Sequence, residues 1–461
     1  MMPAIGAGEK GLITHMNTAA ASSRALRRGA LIDGLRAASA ARGVDPAPAP
    51  PSAATSFDFS TLPTHRMMRV QRQAADSLGI DMPFFRSQSA HAGPDCEVAG
   101  RRMLNFCAYD YLGFNARPEV REAAKAAIDR YGVSVSASRV VSGERDLHGA
   151  LESRIARFLG TAASAVFVSG HATNMSVIGT LMGPKDLVLM DALIHNSVAE
   201  GARLSGAARL SFPHNDWAWV EDLLARRRND FNRVLIVVEG LYSMDGDLPD
   251  LRRFVDVKRR HDAWLMVDEA HSLGVLGATG RGIAEASGVA AAEVEIWMGT
   301  LSKTLASTGG YVAGSRALVE ILKGAAPGFV FSVGLPAPLA AAADAALALL
   351  EAEPWRVARL QANGARLLAA SKAAGLDTGL GAGFAVMPVI VGDSIGAAML
   401  SDECFRRGLY ALPITFPAVP EREARLRFFL SADHSDVQID AAAAICAEAQ
   451  AAAKVRRAAL G

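Results

Sequence analysis

Lys303 and Asp268 each follow a short apolar run, in GTLSK and VDEAH. A lysine in a buried loop is costly unless it is neutral, paired or covalently used. A buried carboxylate likewise needs a cation. A pyridine ring held between the two meets both demands. Asp268 keeps the ring nitrogen protonated and makes the ring an electron sink, while Lys303 forms the imine. Taken alone, such a pair reads as a surface lysine and a helix-capping aspartate. Its placement after successive strands, among further motifs, is what points to chemistry.

Those motifs supply the remaining candidates. In SGHATN, Gly170, His171 and Ala172 open a helix whose backbone N–H groups suit a phosphate, although loop punctuation is the plainer reading. Thr300 and Ser302 are hydroxyl donors to the same phosphate, or make local turn bonds. His195, in DALIHNS, either stacks on the ring or is a satisfied core histidine. Ser243, in EGLYSMDGD, is a donor to a phenolic oxygen, with His271 beside it. Asp245-Gly246-Asp247 reads as a tight turn rather than a metal site, and no metal is expected. Arg427, in RLRFFL, is a candidate clamp for a substrate carboxylate, because a planar guanidinium binds carboxylates in a fork. On a strand, Arg425 points the same way, and periodicity does not choose between them.

The elements that must hold these residues are legible as an alternation. Apolar strands are expected at 165–168, 187–190, 208–212, 233–238, 263–267, 295–299 and 311–313, with helices such as 144–159 and 216–228 between them. Such alternation implies an α/β fold with a mostly parallel sheet covered on both faces. Ligands of such sheets sit beyond the carboxyl ends of the strands, where the candidate residues stand. Helices at 336–352 and 354–374, strands at 386–391 and 425–430, and a helix from Asp436 complete a smaller C-terminal domain. The expected organisation is an extension over 1–63, a helix/strand segment over 64–115, a large domain over 116–345 and a small domain over 346–461.

Bulk properties bound the alternatives. The chain has 461 residues, 51% apolar and 21% charged, a soluble globular balance. A net charge of +1 gives no footprint for nucleic acid. Cys96, Cys107, Cys404 and Cys446 are scattered, which argues against a disulfide framework or zinc site and makes a reducing cytoplasm the default. No apolar run approaches the roughly 18 residues of a membrane span. Segment 37–55 is Ala/Pro/Ser-rich and lacks the apolar surface to fold. Segment 19–36 reads as a basic amphipathic helix, a presequence or docking element, or as a plain extension.

Taken together, NFCAYDYLGF, SVSASRVVSG, SGHATN, DALIHNS, EGLYSMDGD, VDEAHSLGVLGATGRG, GTLSK and RLRFFLSADH resemble the α-oxoamine synthases, a family of fold-type I pyridoxal 5'-phosphate (PLP) enzymes. The resemblance runs from about Leu104 to about Ala443. It implies a fold-type I transferase, a large domain with a seven-stranded sheet, and a homodimer. It also implies decarboxylative condensation of a small amino acid with an acyl thioester to an α-aminoketone, on coenzyme A or an acyl-carrier protein. By resemblance Lys303 carries the cofactor, Asp268 meets the ring nitrogen and His195 stacks on the ring. Ser243 and His271 meet the phenolic oxygen, Thr300 the phosphate and Arg427 the substrate carboxylate. Tyr109 stands where 8-amino-7-oxononanoate synthases typically have Asn, and so looks like serine palmitoyltransferases and polyketide-associated synthases. Ser138 lies where relatives approach the amino-acid side chain, so Ala, Ser and Gly are all expected donors. Val333 replaces a hydroxyl that some relatives lend across a dimer, beside Ser332. The alternatives are 8-amino-7-oxononanoate synthesis itself and an aminotransferase of the same fold, which would release no carbon dioxide.

Overall fold

In a computed structural model of the chain, residues 58–91 and 93–459 are described, so segments 19–36 and 37–55 lie outside them. Within Met1–Gly79, a unit by itself, a short turn at Phe59–Thr61 precedes a helix, Pro63–Ser77, that begins on its proline.

In the unit Ile80–Gly461 the chain opens with β1 (Asp95–Val98) and β2 (Arg101–Asn105). The sequence reads as a strand over Arg102–Cys107. β2 stops earlier because the Asn105 side-chain oxygen accepts the Cys107 N–H and turns the backbone. The large sheet is built from β3 (Ala163–Phe167), β4 (Leu187–Asp191), β5 (Ala208–Phe212), β6 (Val234–Glu239), β7 (Trp264–Asp268), β8 (Ile296–Thr300) and β9 (Gly310–Gly314). Its order is β3-β9-β8-β7-β6-β4-β5, with β9 antiparallel to both neighbours and the other pairs parallel. All seven expected strands are present, and this is a fold-type I, aminotransferase-like α/β fold.

Burial explains why these segments pair. In β6, Val234, Ile236 and Val238 join one apolar cluster, while Leu235 and Val237 join another on the opposite face. Both faces of the central strands are dry, so β4 and β6 are almost wholly apolar runs, whereas the edge strand β5 is largely exposed. The helices that cover them begin at side-chain caps, with Ser169, Asp216 and Asp250 each accepting a first-turn N–H.

The C-terminal part holds β10 (Val386–Gly392), β11 (Leu409–Tyr410), β12 (Leu412–Ile414) and β13 (Ala424–Phe429). Sequence periodicity did not reveal β1, β11 or β12, which are two to four residues long. β10, β13 and β12 form one antiparallel sheet, and β11 pairs in parallel with β2. The strand before the large sheet is thus tied to a strand some three hundred residues later. The segment SVSASR is fixed by charge: Arg139 pairs with Glu144 and Glu152, and Glu152 also meets Lys323 and the Val166 N–H. Among the described residues no helix is long and apolar enough to cross a membrane.

Both Arg139 and Glu152 are buried. Removing one partner leaves an uncompensated charge, so Glu152→Ala is expected to lower folding stability by about 3–5 kcal/mol. Denaturant unfolding measures this directly, and a loss under about 1 kcal/mol would contradict the buried-pair account.

Candidate active site

A cavity of about 250 Å³ opens at the carboxyl ends of the parallel strands. Asp268 is the last residue of β7, Thr300 the last of β8, and Glu239 the last of β6. Ser169 and Gly170 follow β3, and His195 follows β4. Each reaches the cavity because parallel strands deliver their ends to one edge.

Lys303, His195, Asp268, His271, Ser243 and Thr300 all line this cavity, together with Ser302, Gly170 and His171. Ala172 and Ser138 do not. The Ala172 N–H is directed to the capping Ser169 hydroxyl, and Ser138 uses its carbonyl to accept from Val141, Ser142 and Gly143. Tyr109 and Arg427 stand beside the cavity. The Tyr109 ring lies 5.8 Å from Lys303 Nζ, and Arg427 approaches the Tyr109 hydroxyl at 3.5 Å. The Thr300 hydroxyl donates to the Gly309 carbonyl at 2.9 Å, and Ser302 bonds with the same turn.

Burial shifts the titrations. Desolvation of its amine lowers Lys303 to about 8, opposed by Asp268 and Glu239 and assisted by Arg427. The side chain remains half-buried because its stem borders the open cavity while the nitrogen lies deep. Desolvation, with the nearby cations Lys303 and Arg427, holds His271 well below the usual histidine range. His271 Nδ1 meets the buried Tyr111 hydroxyl at 2.6 Å, which leaves Nε2 for a ligand. Desolvation also lowers His195, against the pull of Asp268.

Four residues of this site were missed in the sequence. Glu239 is buried and raised to about 8 by desolvation and by Asp268 beside it. It accepts the backbone N–H groups of His195 at 2.7 Å and Ser243 at 3.0 Å. The polar end of an apolar strand, the signal that singled out Asp268, marks Glu239 as well. Asn174 sits in SGHATN and donates to Asp268 at 2.8 Å and to Ser197 at 2.9 Å. Neither Ser197 nor Tyr111 carried a sequence signal, since Tyr111 meets its partner 160 residues away.

The two arginines separate by partner. Arg425 is buried and ion-paired to Asp245 at 2.5 Å. Arg427 donates to the Ser243 carbonyl at 2.8 Å, while its buried Nε has no partner. Asp247, across the turn, is matched by His214, which it and Asp191 raise to about 10 against desolvation.

Known proteins resemble this chain in sequence and fold. Residues 101–445 match the family model for aminotransferase class I and II. The chain is 41% identical to the 8-amino-7-oxononanoate synthase of Geobacter sulfurreducens, over 78% of this chain and 92% of that protein. The chain belongs to the class I and II aminotransferase family, as an α-oxoamine synthase. Among solved structures, serine palmitoyltransferase from S. paucimobilis with bound PLP superposes with a TM-score of 0.82 at 29% identity, covering 86% of this chain and 100% of that one. The 8-amino-7-oxononanoate synthase of Francisella tularensis gives 0.66 at 25% identity, covering 75% and 97%. The cofactor of the family is pyridoxal phosphate.

The residues here fit that group. A Cβ on Gly170 would lie 2.9 Å from Thr300 Oγ1, and one on Gly310 would lie 2.8 Å from the Gly170 Cα. The helix start is thus pressed against the sheet edge by glycines, presenting free N–H groups to an anion. Across the same cavity stand a carboxylate suited to a ring N–H and a desolvated lysine suited to a carbonyl.

Arg425→Ala is expected to cost about 3–5 kcal/mol of stability, because it strands Asp245 in a buried site. Arg427→Ala should change stability by about 1 kcal/mol or less. Thermal unfolding of the two variants distinguishes them, and equal losses would contradict this division.

Proposed function

We propose that the chain condenses a small α-amino acid, Ala, Ser or Gly, with an acyl thioester, releasing carbon dioxide and a free thiol and forming an α-aminoketone. The observation that carries this is the convergence of Lys303, Asp268, His195 and a helix N-terminus on one cavity, with Arg427 beside it. Pyridoxal phosphate, when bound, supplies an electrophilic carbonyl and an electron-withdrawing ring.

The chain's own groups do the rest. The N–H groups of Gly170 and His171 would hold the phosphate. Asp268 would hold a proton at the ring nitrogen. Ser243 and the free Nε2 of His271 would meet the phenolic oxygen. Arg427 binds the substrate carboxylate through the edge that carries its unpartnered Nε, with the Tyr109 hydroxyl at the same edge. That grip orients the Cα–H bond toward Lys303, whose amine takes the proton near neutral pH because desolvation has lowered its affinity for protons. His195 covers the cavity and limits how the substrate turns.

A second reading has its own support. The product named by the 41%-identical relative carries an amine beside a ketone and a methyl group beyond the amine, the skeleton left by alanine after carbon dioxide loss. Tyr109 favours the longer-chain synthases instead. An acyl-carrier protein as donor, a homodimer, and a cytoplasmic location belong to this proposal, as do the assigned roles of the site residues.

The test supplies Ala, Ser or Gly with acyl-coenzyme A or acyl-carrier thioesters of graded length and measures thiol and carbon dioxide. Equal release of both is expected. Amino transfer, or thiol release without carbon dioxide, would remove the condensation reading. Arg427→Ala should raise the amino-acid KM about a hundredfold with a smaller change in kcat. Uptake of PLP by the stripped protein should accelerate about tenfold per pH unit up to the Lys303 value of about 8 and then level off, followed by visible absorbance. A flat profile would show that Lys303 is not the amine that reacts.

A further inference from the structure

We infer that Asn174 and Ser197 are positioning residues that relay the hydrogen-bond polarity of Asp268 to His195, holding its imidazole in the tautomer with hydrogen on Nε2. Asp268 Oδ2 accepts, so the Asn174 atom 2.8 Å away is the amide nitrogen. The opposite amide orientation would set two oxygens against each other. In the observed orientation Asn174 Oδ1 is buried without a partner.

The same nitrogen has a second hydrogen, directed at Ser197 Oγ at 2.9 Å. That hydroxyl therefore accepts from Asn174, and its own hydrogen points to His195 Nδ1 at 2.7 Å. The Ser197 backbone N–H also points at Nδ1, at 3.3 Å, because His195 caps the helix Asn196–Ser205. Two donors converge on Nδ1, so Nδ1 presents its lone pair. A neutral ring then carries its hydrogen on Nε2. With hydrogen on Nδ1, the ring would face the Ser197 N–H donor to donor, and the Ser197 hydroxyl would lose its acceptor where it is 0% exposed.

The backbone of His195 is fixed separately by Glu239, which accepts its N–H. The ring thus stands at the cavity wall with an N–H donor on its free edge. Such a donor stabilises negative charge developing on a carbonyl oxygen, and in the proposed reaction that oxygen belongs to the acyl thioester. The relay links the group that meets the ring nitrogen to the group that meets the acyl donor.

The tautomer is read in holoenzyme labelled with ¹⁵N-histidine, with the His195 signals assigned by their loss in His195→Asn. Wild type should show Nδ1 unprotonated and Nε2 protonated. Ser197→Ala should lose that single-tautomer signature and lower kcat/KM for the thioester about tenfold, with the amino-acid KM and the visible cofactor band unchanged. Ser197→Thr, which keeps the hydroxyl, should restore both. A proton on Nδ1 in wild type overturns the inference, as does Ser197→Ala with an unchanged tautomer or with kcat/KM within twofold of wild type. Only the kinetic arm rests on the proposed reaction. Absence of thiol and carbon dioxide release by wild type would sink that reading while leaving the tautomer measurable in the holoenzyme.

Discussion

Two carboxylates buried side by side organise this molecule. Glu239 and Asp268 are register partners at the ends of β6 and β7, both almost fully desolvated. Like charges so placed cannot both be ionised without nearby cations or donors. Glu239 is accordingly raised to about 8, and its oxygens accept two backbone N–H groups. Asp268 accepts from Asn174 and from the Ala270 N–H. Beside them Lys303 brings a desolvated amine. A site arranged to tolerate two buried acids is thereby suited to a cationic ligand.

The same constraint reaches into the C-terminal sheet. The turn after β6 carries Ser243 toward the cavity, and its flanking carboxylates need fixing. Asp245 is met by Arg425 from β13, and Asp247 by His214. Gly246 is left-handed at φ 70°, and a Cβ there would lie 2.1 Å from the Val386 carbonyl of β10. Close approach of turn and strand thus places Arg427, two residues beyond Arg425, at the cavity. Arg425, ion-paired to Asp245, and Arg427, without a carboxylate partner, differ in what faces them.

Much of the fold was legible because strands covered on both faces are nearly continuously apolar and alternate with helical patterns. Lys303, Asp268, His195 and Ser243 were legible for a related reason, since each stands just beyond an apolar run. β1, β11 and β12 were not, because strands of two to four residues have too little pattern to stand out and form only through pairing. Ser138 reads as a substrate contact in its motif, yet in the single chain its carbonyl ends a turn outside the cavity lining.

Sequence by itself determined the sheet, the edge on which the cavity opens and several of the side chains that line it, because apolar continuity and strand-end polarity are local properties. Tertiary structure decided which of Arg425 and Arg427 is paired to a carboxylate, that Tyr111 bonds to His271, and that Glu239, Asn174 and Ser197 bind the site into one network. Those outcomes depend on partners from distant segments. Hydrogen-bond direction and desolvation exist only once those segments are packed together.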